Sequence, residues 1–131
     1  MNFVEYNYVD KNGKSNCVLR SFSKLFNIKY EIVEEELKEL AKKLGYESYN
    51  EIEVFEIYMK NRNTEPIEYG KDIQIKNLNL EDGKYAVFCY DKKDYYHMVY
   101  IEDGVVYDKI NKSLDLYTIT IYKLNELNKQ R

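Results

Sequence analysis

Apolar and polar residues alternate along most of the C-terminal half of this chain, which is the pattern of β-strands that bury one face. A similar run stands near the amino terminus, and a shorter one lies within the stretch 64–82, which is otherwise irregular and contains the single proline, Pro66. The predicted strands are residues 3–9, 72–75, 84–90, 95–101, 105–110 and 117–124.

Between these strands the spacing of apolar residues becomes helical. The first helix follows a polar loop, with Ser15 or Asn16 as its N-cap. A second helix is predicted over 31–44, where Gly45 supplies the stop, and a third over 49–61. The sequence therefore places its helices mainly in the first half of the chain.

Helices followed by strands predict an α+β fold, in which N-terminal helices pack on a C-terminal antiparallel sheet. The 131 residues are enough for one domain with a substantial core. We therefore expect a single domain that spans residues 1–131.

The pair Asp103-Gly104 favours a two-residue hairpin loop between the strands 95–101 and 105–110. In that register His97 and Asp108 share one face of the sheet as diagonal neighbours, about 7–8 Å apart at the backbone. A slip by one residue would move Asp108 to the opposite face. The predicted strand pairs are Glu102 with Val105, Ile101 with Val106, Tyr100 with Tyr107, and Val99 with Asp108.

Cys17 falls in the first turn of the first helix. The free N–H groups and the dipole at such a position favour a thiolate, and the same N–H groups can stabilise an oxyanion. His97 is the only histidine of the chain, and Asp108 lies beside it in the predicted register. Together, Cys17, His97 and Asp108 supply the residue types of a thiol nucleophile, its base and the group that orients the base.

In these features the sequence resembles the papain-like cysteine peptidase superfamily, as a small and divergent bacterial or phage member. The resemblance is carried by residues 15–22, Ser-Asn-Cys-Val-Leu-Arg-Ser-Phe, and by residues 97–99 and 105–108 on the hairpin. It implies a papain-like fold in which Cys17 is the nucleophile, His97 the base and Asp108 the orienting acid. The implied activity is that of a hydrolase or acyl transferase on an amide, isopeptide or thioester bond.

The chain departs from that family at two positions. Papain-like enzymes place a glutamine shortly before the cysteine, whereas the only glutamines here are Gln74 and Gln130, and Val18 stands where an aromatic residue usually follows the cysteine. Asn12 or Asn16 would then have to supply the amide donor of the oxyanion hole. Three interpretations stay open. They are a divergent enzyme, a catalytically inactive scaffold that a phage or mobile element encodes as a protein-binding inhibitor, and a purely structural domain.

Composition limits the partners. A net charge of −3 gives no basic stripe for nucleic acid, and no apolar run reaches the roughly 20 residues of a membrane span. The sequence lacks a glycine-rich phosphate loop, and its one histidine argues against a zinc site, so no cofactor is expected. A protein or peptide substrate or partner is the expectation, while the oligomeric state stays open.

The first residues show no signal peptide, so we expect a cytoplasmic protein with reduced cysteines. Cys89 lies in a nearly continuous apolar strand and is predicted to be a core residue. Five of the fifteen tyrosines cluster around the hairpin, which fits either their preference for strands or a partner-binding surface.

Overall fold

A computed structural model describes residues 1–7, 16–69 and 71–126. Within them, three helices and a six-stranded mixed sheet form an α+β fold. The helices are α1 (Cys17–Phe26), α2 (Tyr30–Leu44) and α3 (Ile52–Asn61). The strands are β1 (Asn2–Glu5), β2 (Thr64–Ile67), β3 (Lys84–Tyr90), β4 (Tyr96–Glu102), β5 (Val105–Asp108) and β6 (Tyr117–Leu124).

The sheet has the strand order β1-β5-β4-β3-β6-β2. The sequence had predicted an antiparallel sheet, whereas the observed sheet is mixed. Its edge strand β1 runs parallel to β5, with Phe3 opposite Val106. Alternation of apolar residues indicates a strand but carries no information about its direction, which is why the prediction was wrong here. The predicted strand 3–9 extends in part over residues 8 and 9, which lie outside the described residues.

The stretch 64–82 also differs from the prediction. Residues Thr64–Ile67 form β2, an edge strand that pairs with β6. An edge is the place where a strand tolerates Pro66, which has no N–H to donate. The predicted strand 72–75 is reduced to one isolated bridge, between Gln74 and Tyr117.

The helices lie where the apolar spacing predicts them. Asn16 is the N-cap of α1, and Gly45 ends α2 with a φ of 87°, a conformation that favours glycine. α3 begins at Ile52, later than the predicted 49, because Glu51 is still extended and serves as the N-cap. None of the helices in the described ranges has the length and apolar content needed to cross a membrane.

Apolar side chains are buried on both faces of the sheet. One cluster fills the space between the helices and the sheet and includes Phe22, Val33, Leu37, Met98 and Tyr100. The other lies on the opposite face, where it includes Ile75, Cys89, Val99, Ile101 and Val106. Cys89 has no exposed surface, which confirms its prediction as a core residue.

The hairpin of β4 and β5 has the predicted loop and register. Asp103 and Gly104 both have positive φ, 50° and 78°, as a two-residue turn of this kind requires. The ladder ends one pair short of the predicted contact between Val99 and Asp108. Its pairs are Tyr100–Tyr107, Ile101–Val106 and Glu102–Val105.

Candidate active site

Cys17 is the first residue of α1. The Oδ1 atom of Asn16 accepts hydrogen bonds from the N–H groups of Val18, at 2.9 Å, and Leu19, at 3.1 Å. One turn further on, the buried Ser21 hydroxyl donates to the carbonyl of Met98 on β4, at 3.2 Å. The cap and this hydrogen bond fix the start of α1 against β4, with Cys17 beside the strand.

His97 and Asp108 are in direct contact. His97 Nε2 lies 2.7 Å from Asp108 Oδ2, and the two side chains are 10% and 3% exposed. The shared strand face that the sequence predicts is what permits this contact. On the other side of the imidazole, Nδ1 lies 3.4 Å from the hydroxyl of Tyr95, whose ring stacks on His97 with centroids 5.7 Å apart.

Cys17 lines the same cavity as His97 and Met98, and its thiol lies near enough to the imidazole and to the backbone of Met98 for both to lower its pKa. Asp108 occupies Nε2, so the ring nitrogen available to the thiol is Nδ1, which the Tyr95 hydroxyl also approaches, at 3.4 Å. Burial by itself would raise the pKa of Cys17, but the hydrogen bonds and the positive charges of His97 and Arg20 outweigh it and lower the pKa below its usual value. The sulfur is therefore held as a thiolate more readily than an ordinary cysteine.

The pKa of the His97 imidazole shifts in the opposite direction to that of Cys17. Burial would lower the pKa of His97, yet its hydrogen bonds to Asp108 and Cys17, with the negative charges of both, raise it from 6.5 to about 9. Burial likewise works against the charged form of Asp108, but the contacts with His97 lower the pKa of that carboxyl. All three shifts favour the charged forms, which are a thiolate, an imidazolium and a carboxylate in a row.

Arg20 adds a fourth charged group. Its Nη2 lies 3.2 Å from Asp108 Oδ1, the oxygen that His97 does not use, and the two side chains are 7% and 3% exposed. Arg20 stands three residues after Cys17 on the same helix. The chain of contacts from Cys17 through His97 and Asp108 to Arg20 thus begins and ends on α1.

Two cavities meet at His97. The smaller, about 270 Å³, contains Cys17 and has a largely apolar wall, to which Asn50 adds an amide. The larger, about 430 Å³, contains Asp108 and Arg20 but not Cys17. Residues that line the smaller cavity beside Cys17 and His97 include Val18, Ile52, Phe55, Phe88, Tyr96 and Met98.

The structure thus brings Cys17, His97 and Asp108 together, and it uses the side-chain oxygen of Asn16 as a helix cap. Asn12 lies outside the described residues. Sequence reasoning missed Asn50, which nothing in the primary structure connects with Cys17. Sequence reasoning named Arg20 only as one of residues 15–22, and its place three residues after Cys17 was the available signal.

Cys89, the other cysteine, lies on the opposite face of the sheet from the helices. Both cysteines are free thiols, and burial raises the pKa of Cys89 well above its usual value. In residues 1–7, 16–69 and 71–126, no three His, Cys, Asp or Glu side chains are placed to hold a metal ion together.

No protein-family model, curated protein or solved structure matches this chain.

Proposed function

We propose that this protein is a papain-like thiol hydrolase or acyl transferase that cleaves an amide, isopeptide or thioester bond with Cys17, His97 and Asp108. The observation that carries the proposal is that the Cys17 thiol lies beside the imidazole of His97, whose Nε2 contacts the buried Asp108 carboxylate. The order of the parts, a cysteine at the start of a helix and then a histidine and an acid on adjacent strands, supports a papain-like arrangement.

The first step is acyl transfer to the enzyme. The Cys17 thiolate attacks the carbonyl carbon, a sulfur–carbon bond forms, and the bond to the leaving atom breaks. The electron pair of that bond goes to the leaving atom, which takes the proton of the His97 imidazolium. Asp108 holds the imidazole in place through its contact at 2.7 Å and stabilises its positive charge.

The second step releases the acyl group. The now neutral His97 takes a proton from water, or from an acceptor nucleophile, as that group attacks the thioester carbon. The bond to the Cys17 sulfur breaks, and the thiolate and imidazolium are restored. Whether water or another nucleophile enters distinguishes a hydrolase from a transferase.

The negative oxygen that develops in both steps needs hydrogen-bond donors. The backbone N–H of Cys17 lies in the first turn of α1, where helix N–H groups have no intrahelical acceptor. The exposed amide of Asn50 lines the same cavity as the sulfur. We assign these two groups to the oxyanion hole, in the role of the glutamine that the sequence lacks.

The experiment that tests the proposal is acylation and turnover with p-nitrophenyl acetate, followed by release of nitrophenol and by the mass of the intact protein. An acetyl group on Cys17 and continued release in the wild type, both lost in Cys17→Ser and kept in Cys89→Ser, are the expected results. The absence of an acetylated Cys17 in the wild type would contradict the proposal.

The second candidate is an inactive scaffold of the same fold that binds and inhibits a protein. The observation in its favour is the exposure of Tyr95 and Tyr96, 52% and 53%, at the start of β4 beside the site. In that case Tyr96→Ala would abolish inhibition of the bound protein, while Cys17→Ser would leave that inhibition intact. For an enzyme, Cys17→Ser abolishes the effect.

A further inference from the structure

In the proposed reaction, the two cavities at His97 receive different parts of the substrate. In the proposed reaction the acyl group stays on the Cys17 sulfur, so it occupies the cavity that Cys17 lines. The leaving group must lie next to His97, because it takes the proton of the imidazolium. The cavity that contains His97 but not Cys17 is therefore the one that can receive the leaving group.

Positive charge exceeds negative charge at the wall of this second cavity. Lys109 and Lys112 are both exposed at its wall, and neither forms an ion pair with another described residue. Its Asp108 carboxylate is already neutralised, since Arg20 and His97 each take one of its oxygens. The balance of the remaining charges depends on one further carboxylate.

That carboxylate is Asp91. Its Oδ1 accepts hydrogen bonds from the backbone N–H groups of Lys93, at 2.8 Å, and Tyr95, at 3.2 Å, which hold the turn between β3 and β4. These backbone donors lower the pKa of Asp91, so it is charged and offsets one of the two lysines. Lys109, Lys112 and Asp91 together carry one positive charge in excess, beside apolar surface from Ile110 and Leu116.

We propose that this cavity is a leaving-group site, in which Lys109 and Lys112 favour a leaving group that carries a carboxylate, such as an amino acid or the C-terminal residue of a peptide. This inference rests on the proposed function. It specifies the charge of the leaving group, while the acyl group lies against the largely apolar wall of the Cys17 cavity. The preference depends on the charges of lysines that are exposed to solvent, so it weakens in high salt.

Two thioesters of phenylacetic acid test the proposal. In one the leaving thiol is 3-mercaptopropionate, and in the other it is the neutral 3-mercaptopropionamide, which has nearly the same shape. The measured quantity is the rate at which each thioester acylates Cys17, divided by its rate with free N-acetylcysteine. This measurement needs no turnover, because the acyl-enzyme itself is counted by mass.

We expect the wild type to prefer the carboxylate thioester by about two- to five-fold, the range for a solvent-exposed charge pair. The double variant Lys109→Gln/Lys112→Gln is expected to lose this preference, so that the ratio of its two normalised rates falls to about one. The matched control is Lys42→Gln/Lys43→Gln, which removes two exposed lysines from the end of α2 and is expected to keep the preference.

Equal normalised rates for the two thioesters in the wild type would overturn the leaving-group site and leave the proposed function standing. A preference that survives in Lys109→Gln/Lys112→Gln would overturn the role of the two lysines. If neither thioester acylates Cys17 while both acylate N-acetylcysteine, the proposed function itself fails, and the leaving-group site fails with it.

Discussion

The guanidinium of Arg20 and the carboxylate of Asp108 form an ion pair at 3.2 Å in which both side chains are almost completely buried. Asp108 is thereby held from two sides, by Arg20 through Oδ1 and by His97 through Oδ2. Because Arg20 and Cys17 belong to the same helix, the ion pair also couples the position of Asp108 to that of Cys17. Arg20 is therefore a positioning residue for the proposed triad.

Replacement of Arg20 by Met removes one partner of a buried pair and is expected to lower the free energy of unfolding by about 3–5 kcal/mol. The matched control is Arg62→Met. Arg62 pairs with Glu36 where the two side chains are 32% and 40% exposed, so this ion pair contributes less, about 0–1 kcal/mol. Urea unfolding of the wild type and both variants measures the difference. Equal losses of unfolding free energy in Arg20→Met and Arg62→Met would contradict the assignment of Arg20 and Asp108 as a buried, stabilising pair.

A positioning role also predicts an effect that loss of stability alone does not produce. Arg20 is one of the positive charges that lower the pKa of Cys17, so its removal shifts the pH dependence of Cys17 alkylation to higher pH. Arg20→Lys keeps the charge and is expected to restore most of the wild-type profile. An unshifted profile in folded Arg20→Met would show that Arg20 is structural only.

The pH dependence of stability follows from the opposite shifts of Cys17 and His97. With its pKa raised from 6.5 to about 9, His97 stabilises the fold fully below 6.5, and this contribution is lost as the pH rises to about 9. Cys17, whose pKa is lowered from 9.0, has its full contribution above 9.0 and loses it as the pH falls through the lowered pKa. At pH values where both groups are charged in the folded state and neutral in the unfolded state, both contributions persist and their pH dependences cancel, since the folded and unfolded pairs hold the same number of protons.

Cys17→Ser removes this cancellation and leaves His97 with Asp108. The stability of the variant relative to the wild type is therefore expected to fall as the pH rises above 6.5, by up to about 1.4 kcal/mol per pH unit, over a window that ends below 9 because Cys17 no longer helps to raise the pKa of His97. Denaturant unfolding at several pH values measures it. A difference between variant and wild type that does not change with pH would contradict the opposed shifts.

Asn50 is predicted to stabilise the oxyanion. Asn50→Ala is expected to slow acylation of Cys17 by a thioester by a factor on the order of 10²–10³, the usual effect of losing one oxyanion donor. The rate of Cys17 alkylation by iodoacetamide should be unchanged, because that reaction forms no oxyanion. Asn61→Ala, at an exposed position at the end of α3, is the control. Parallel losses in both reactions would assign Asn50 to packing instead.

Asn16 is predicted to act through its cap. Asn16→Ala is expected to lower the free energy of unfolding by about 1 kcal/mol, while Asn16→Ser keeps a capping oxygen and most of the stability. Thioester acylation of Asn16→Ser should stay within a few-fold of the wild type. A large loss of acylation in this stable variant would instead make the Asn16 amide the oxyanion donor that the sequence suggested.

The sequence predicted the parts of the site that depend on local periodicity. The turn residues Asp103 and Gly104 set the hairpin register, and the register placed Asp108 on the face of His97. The N-cap preference of Asn16 placed Cys17 in the first turn of α1. Each of these inferences needs only neighbouring residues, which explains why they hold.

Features that depend on distant contacts were not predictable in the same way. The direction of β1 is set by its pairing with β5, about a hundred residues away, and nothing within β1 specifies it. Asn50 precedes α3 and lines the cavity of Cys17 together with Ile52 and Phe55 of that helix, a contact between residues more than 30 positions apart. The partner of Arg20 lies 88 residues further along the chain, so its ion pair could not be read from its helix alone.

The central claim is that His97 activates Cys17. The measurement that tests it most directly is the rate of Cys17 alkylation by iodoacetamide as a function of pH, with buried Cys89 as the internal control, in the wild type and in His97→Ala. We predict rapid labelling of Cys17 well below the usual cysteine pKa of about 8.5 in the wild type, and loss of that labelling in the variant. Labelling that begins only near the usual pKa, or that is the same in both proteins, would contradict the claim.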